Sequence, residues 1–143
     1  MKDIVRNKLL ITILMAAVVI FIMPAFPTGC SPEPVSIEEL VLCKEVDGKS
    51  APVEPTDIFP AGIQVIYLSA KVKNISTEDK LSVTWNYHES GEEITTADFI
   101  SDRPGSGYIG FNVIIEQGFP KGNYTVDVHL NDTLHDTLEF KVE

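Results

Sequence analysis

Between Lys80 and His88 the chain alternates without a slip. Leu81, Val83, Trp85 and Tyr87 fall on one side, and Ser82, Thr84, Asn86 and His88 on the other. A repeat of two marks an extended strand with one face in a core and one in water, because successive side chains point to opposite faces. It excludes a surface helix there, whose apolar stripe recurs at three and four residues. No helical repeat of useful length follows residue 35. Short runs rich in Val, Ile, Tyr, Phe and Thr are instead separated by turn-forming residues. The pattern predicts an all-β domain.

Seven strands are expected. The first covers Val35 to Glu45, and a long loop with Pro52, Pro55 and Pro60 follows it. The second is Ile63 to Lys73, with Ile66, Leu68, Ala70 and Val72 inward; the third is Lys80 to His88. A weaker fourth lies within Glu93 to Ile100, and Ser101 to Gly107 reads as a loop because Pro104, Gly105 and Gly107 break regular structure. The fifth, Tyr108 to Glu116, places Ile109, Phe111, Val113 and Ile115 inward. The sixth, Asn123 to Leu130, does the same with Tyr124, Val126, Val128 and Leu130. Asn131-Asp132 is a tight-turn dipeptide. In the last strand, Thr133 to Val142, the alternation falters at His135-Asp136, as a bulge would make it. Seven short strands in roughly a hundred residues fit a two-sheet sandwich.

Two residues sharpen that expectation. Trp85 lies midway along the third strand, and Gly122-Asn123-Tyr124-Thr125-Val126 opens the sixth. The segment 35–143 thereby resembles the immunoglobulin-like sandwiches of bacterial surface proteins. Phe119 to Tyr124, followed by a hairpin and Phe140-Lys141-Val142, is similar to the last hairpin of many such domains. The resemblance implies a central tryptophan at Trp85 and a tyrosine corner at Tyr124. It departs from antibody domains at Val126, where those carry a cysteine, so no inter-sheet disulfide is expected.

Ahead of the domain the chain changes character. Leu9 to Met23 is a fifteen-residue apolar run with only Thr12 polar, preceded by Lys2, Arg6 and Lys8. A positive head, an apolar stretch and a small-residue exit form the layout of an export signal. As a helix the run would reach roughly 22 Å, short of a bilayer core about 30 Å thick. Thr28-Gly29-Cys30 resembles the lipobox of bacterial lipoproteins, in which the cysteine is acylated and becomes the mature N-terminus. The expected organisation is a signal peptide over 1–29, a lipidated Cys30 with a Pro-rich tether over 30–34 (Ser31-Pro32-Glu33-Pro34), and the sandwich over 35–143. An uncleaved helical anchor and free secretion are the alternatives. All of these place the domain outside the cytoplasm, at the cell membrane or in the envelope.

With 11 basic and 21 acidic residues the net charge is −10, which argues against nucleic acid as a partner. The acid excess reads as solvation. Two cysteines cannot build a disulfide scaffold or a four-cysteine zinc site. Cys43, behind Leu40-Val41-Leu42, is expected to be a buried, inert thiol.

The search for chemistry yields no catalytic residue, no metal site and no cofactor. His88 and His129 fall on outward faces, no G-x-S-x-G elbow exists, and Glu38-Glu39 and Glu92-Glu93 are adjacent pairs that point apart. His129, Asp132, His135 and Asp136 read as a polar hairpin tip. Asn74, Asn123 and Asn131 each open a glycosylation triplet. One apolar group stands out: Ile63, Val65 and Tyr67 on the second strand and Tyr108 and Ile114 on the fifth are expected to share an outer face. It is a candidate interaction patch, unless the segment Asp47–Pro60 folds over it.

The reading is a membrane-anchored extracytoplasmic lipoprotein that is not an enzyme. It acts as a binding or structural module and meets an envelope protein or a glycan. The alternative is an immunoglobulin-like proteinase inhibitor or small accessory ligand binder that presents loop 101–107.

Overall fold

The computed structural model describes Gly29 and residues 31–143. The segment expected to be an export signal, apart from Gly29, and Cys30 lie outside the described residues. The chain divides after Pro32, and the strands all belong to the unit Glu33–Glu143.

The described residues form nine strands. They are β1 (Ser36–Val46), β2 (Pro52–Pro55), β3 (Ile58–Phe59), β4 (Val65–Ile75), β5 (Lys80–Tyr87), β6 (Glu92–Ile100), β7 (Gly105–Ile114), β8 (Gly122–Leu130) and β9 (Thr133–Val142). One sheet has the order β2-β1-β4-β7, the other β3-β9-β8-β5-β6. All neighbours are antiparallel except β3, which runs parallel to β9. The architecture is an all-β sandwich of two sheets, and the seven long strands are those the alternation predicts.

The faces follow the alternation. Ile66, Leu68, Ala70 and Val72 of β4 are buried, as are Leu81, Val83 and Trp85 of β5 and Ile109, Phe111 and Val113 of β7. Tyr124, Val126 and Val128 of β8 and Phe140 and Val142 of β9 complete the opposing wall. Each of the Val, Leu, Ile and Phe side chains removed from water contributes about 1.5–3 kcal/mol. Trp85 is fully enclosed and meets Phe140 edge-on, with ring centres 6.0 Å apart. Cys43 is a buried free thiol, and desolvation pushes its pKa up.

Two local expectations hold in detail. At the last hairpin Val128 pairs with Asp136 and His129 with Leu134, so His135 is the extra residue of a bulge. Asn131 and Asp132 both have positive φ, 51° and 63°, the conformation a two-residue hairpin turn demands.

Three readings need correction. The long proline loop carries β2 and β3. Pro52 and Pro55 stand at the two ends of an edge strand, where a missing N–H does little harm. β3 is fastened to β9 by Lys141 N–H donating to the Asp57 carbonyl and Glu143 N–H donating to the Phe59 carbonyl. Next, Gly105 to Gly107 belong to β7 rather than to a loop. Gly105 pairs with Ile75, Gly107 pairs with Val72, and the Ser106 hydroxyl accepts from Asn74 N–H. Finally, Ile63 precedes β4 and is not on its outer face. Its N–H donates to the Pro60 carbonyl and its carbonyl accepts from Phe119 N–H, and the side chain packs against the core.

Candidate functional site

The outer face of the four-stranded sheet carries the other candidate residues. β4 and β7 are neighbours, so Val65 stands opposite Ile114, Tyr67 opposite Asn112, Ser69 opposite Gly110 and Lys71 opposite Tyr108. Ile114 is 59% exposed, and Val65, Tyr67 and Tyr108 are half-buried. The face is not continuous, however. Ser69 lies at its centre and is 1% exposed, although it points away from the core.

The turn after β1 explains this. Asp47 accepts backbone N–H bonds from Lys49 and Ala51 through its side chain, and from Ser50 through its carbonyl. That tight turn brings the Ser50 carbonyl to the Ser69 hydroxyl at 2.6 Å. It also lays Ser50 over Gly110, where a Cβ would meet the Ser50 Oγ at 3.2 Å. Val65, Tyr67 and Ile114 therefore group on one side of the Ser50 turn. Tyr108 is left on the other, beside the Lys71–Glu38 ion pair of 3.3 Å. Part of the segment expected to fold over this face does so, at its middle.

The second feature is an aromatic end. Tyr124 stacks on Phe140 with ring centres 5.0 Å apart and planes 11° from parallel, while Tyr87 and Phe119 meet it edge-on. The Tyr124 hydroxyl donates to the Pro120 carbonyl at 2.6 Å. That bond back to the chain four residues upstream is a tyrosine corner, at the residue the sequence resemblance names. Burial pushes the Tyr124 phenol's pKa up. The close fit extends to glycines that sequence reading did not single out. A Cβ on Gly118, which has φ 83°, would sit 2.7 Å from the backbone of Gly62. Repeated Gly among loop residues was the available signal, but the approach of two distant loops is not visible in it.

Shallow depressions open at this end. One, of about 480 Å³, is lined among others by Asp57, His88, Asn123, Glu139 and Lys141. The other, of about 460 Å³, lies between Tyr87, Glu92, Glu93, Ile94, Ile115 and Pro120. Neither holds a nucleophile beside a base. Asn123 donates to the Glu89 carboxylate from both its backbone and its side-chain amide.

The opposite end is polar. Asp79 accepts from Ser76 N–H and Oγ and from Asn131 Nδ2, and the Asn131 side-chain Oδ1 accepts from Lys80 N–H. Lys80 also pairs with Asp132 at 2.8 Å. The Asn131 amide and the Ser76 contacts hold the Asp79 carboxyl below its ordinary pKa. The chain enters the domain here, since Glu33 pairs with Lys73 at 3.1 Å and accepts from Asn74. All three asparagines of the acceptor triplets thus have their side-chain amides engaged. His129, Asp132, His135 and Asp136 do not converge, and among the described residues no group of three His, Cys, Asp or Glu is placed to hold a metal ion. With β7 starting at Gly105, the expected loop 101–107 shrinks to Ser101–Pro104, braced by Ser101 Oγ donating to the Arg103 carbonyl.

No protein-family model matches the chain, and no curated protein matches it in sequence. Among solved structures it is similar to an immunoglobulin-like protein from Pseudomonas aeruginosa, at 13% identity and a TM-score of 0.54, over 79% of this chain and 99% of that one. An alkylpurine DNA glycosylase from Pseudomonas fluorescens, bound to DNA with an abasic-site analogue, aligns at 17% identity and a TM-score of 0.46, over 79% of this chain and 31% of that one. The first likeness is one of fold: the chain is an immunoglobulin-like β-sandwich.

Proposed function

We propose that this protein is a membrane-anchored extracytoplasmic lipoprotein whose sandwich is a non-catalytic binding or structural module. Cys30 carries the lipid, and residues 30–34 are the tether. The domain contacts an envelope protein or a glycan, and Val65, Tyr67 and Ile114 form the contact patch, with Tyr108 at its margin.

The observation that supports this best is how the domain uses its polar side chains. Several of them are committed to one another across strands and turns: Asn86 to Asp127, Asp127 to Thr137, Glu89 to Asn123, Asp79 to Asn131. Chemistry needs such groups converging on a shared cavity with partners left over for a substrate. Here they fix strands and turns. The exposed Ile114, with the half-buried Val65 and Tyr67 beside it, is free to meet another surface.

The test is metabolic labelling with radioactive palmitate, together with fractionation of cells that express the full chain or its Cys30→Ser variant. Label on the wild type alone, with the variant released from the membrane or retained as an unprocessed precursor, is expected. An unlabelled wild type in the soluble cytosolic fraction would overturn the anchor. Crosslinking in the intact membrane, followed by mass spectrometry, identifies the partner. Replacing Tyr67 by Lys should lower that crosslink severalfold, and an unchanged yield would remove the patch from the reading.

A further inference from the structure

The strand register sets one carboxylate in line with the aromatic rings. Tyr87 of β5 stands opposite Tyr124 of β8 on one side and opposite Glu92 of β6 on the other, and Tyr124 stands opposite Phe140 of β9. Residues directly opposite one another share a face of the sheet. Glu92 therefore ends an inner-face row whose other members are Tyr87, Tyr124 and Phe140. A bulge puts it there. Thr95 pairs with Trp85 and Glu93 with Asn86, so Ile94 is an extra residue that brings Glu92, rather than Glu93, beside Tyr87. Glu93 falls on the outer face, where its carboxylate accepts from Thr96 Oγ1 at 3.0 Å.

Tyr87, Glu92 and Tyr124 line the depression of about 460 Å³ together with Ile94, Ile115 and Pro120. Its charged lining residues are both carboxylates, and no Lys, Arg or His lines it. The Glu92 N–H donates to Ser90 Oγ, but among the described residues its carboxylate accepts no hydrogen bond and joins no ion pair. The Tyr124 hydroxyl is taken up by the Pro120 carbonyl. The Tyr87 ring is held in place: it meets Tyr124 edge-on at 5.1 Å, and a Cβ on Gly122 would lie 2.7 Å from its Cε2.

We propose that this depression receives the side chain of an arginine carried by a partner polypeptide, with the guanidinium on the Glu92 carboxylate and the apolar stem against Tyr87, Ile94 and Ile115. Charge complementarity selects a cation, because an unpaired carboxylate beside apolar walls gains most from a positive group brought into the same cavity. A sugar fits this lining poorly. Each of its several hydroxyls needs a partner when it leaves water, and the inner-face side chains offer only the Glu92 carboxylate and the Tyr87 hydroxyl. The aromatic wall selects arginine over lysine. A guanidinium is less strongly hydrated than an ammonium, stacks on rings and forks onto a carboxylate. The inference rests neither on the lipid anchor nor on the patch of Val65, Tyr67 and Ile114.

The test is an amide NMR titration of the full chain in micelles of a non-ionic polyoxyethylene detergent. The probes are a blocked Gly-Arg-Gly peptide, the same peptide with citrulline for arginine, and a chitin tetrasaccharide. The arginine peptide should give saturable shifts confined to the neighbourhood of Tyr87, Glu92, Ile94 and Ile115. Citrulline, which keeps the shape and loses the charge, should bind roughly tenfold more weakly. Glu92→Gln should weaken the arginine peptide by a similar factor. Glu93→Gln removes the same charge one residue away on the other face and should leave binding unchanged. Both positions are exposed, so the fold is expected to persist; emission from the buried Trp85 checks it. Absence of saturable shifts with the arginine peptide overturns the proposal. So does equal binding of the citrulline peptide, or an equal response to Glu92→Gln and Glu93→Gln. Tighter binding of the tetrasaccharide at these residues also overturns it, by assigning the cavity to a glycan.

Discussion

At one end of the sandwich Tyr87, Phe119, Tyr124 and Phe140 pack ring on ring, with Phe59 edge-on to Phe140 at 5.6 Å. At the other, Ser76, Asp79, Lys80, Asn131 and Asp132 close the sheets with hydrogen bonds and an ion pair. The same two sheets are sealed by two chemistries. Aromatic closure removes large apolar areas from water and contributes most to stability. Polar closure replaces hydrogen bonds to water with hydrogen bonds to protein, at a net gain near 1 kcal/mol each, and its ion pairs lie at the surface where solvent weakens them. What the polar end contributes is geometry. It holds Asn131 and Asp132 in left-handed conformations and sets where β8 turns into β9.

Mutations rank the two ends. Phe140→Ala should cost the most, about 3–5 kcal/mol, because it empties the centre of the aromatic cluster; chemical denaturation measures it. A loss near 1 kcal/mol would mean that the aromatic end does not dominate. Gly118→Ala should come next at about 1–3 kcal/mol, since its Cβ would press on the Gly62 backbone from a positive φ. A neutral result would show that the two loops separate easily. Tyr124→Phe keeps the ring but strips the Pro120 carbonyl of its donor, and should cost about 1 kcal/mol. A cost equal to that of Phe140→Ala would place the corner's value in its hydrogen bond rather than in its packing.

The smallest effect belongs to the polar end and depends on pH. The folded pKa of Asp79 is lowered, chiefly by the Asn131 amide and then by Ser76. Its contribution is therefore fully present above the unfolded carboxylate pKa, about 3.9, and is lost as pH falls from there through the folded value. Denaturation midpoints measured from pH 6 to pH 2 should fall less steeply in Asp79→Asn than in the wild type. Identical slopes would mean that the network holds the turn without stabilising the fold.

Local features read well from the residues. The alternation in Lys80–Tyr87 and Gly122–Leu130 showed which side chains are buried, because a strand against a core imposes a period of two whatever its neighbours. The stumble at His135 marked a bulge, and Asn131-Asp132 marked a turn, since both are properties of a few adjacent residues. Tyr124 was found by its context in the hairpin. The misses share one cause. Ile58-Phe59 is a strand only because β9 lies beside it, and Gly105–Gly107 are strand only because the end of β4 pairs with them. Ile63 turns to the core because distant Phe119 holds its carbonyl. The candidate patch was legible as a set of apolar residues on one face. Its division by Ser50 was not, for Ser69 is nineteen positions away and nothing in either neighbourhood announces the contact.

The residues by themselves determined that this domain is all-strand, which faces of its long strands are apolar, and that a tryptophan and a corner tyrosine lie inside. Hydrophobic alternation and turn chemistry act over a few residues, so a linear reading captures them. Which strands are neighbours, what Ser50 covers and how the two ends are sealed were decided only on folding. Those properties arise from segments far apart in the chain competing to bury the same surface and satisfy the same hydrogen bonds.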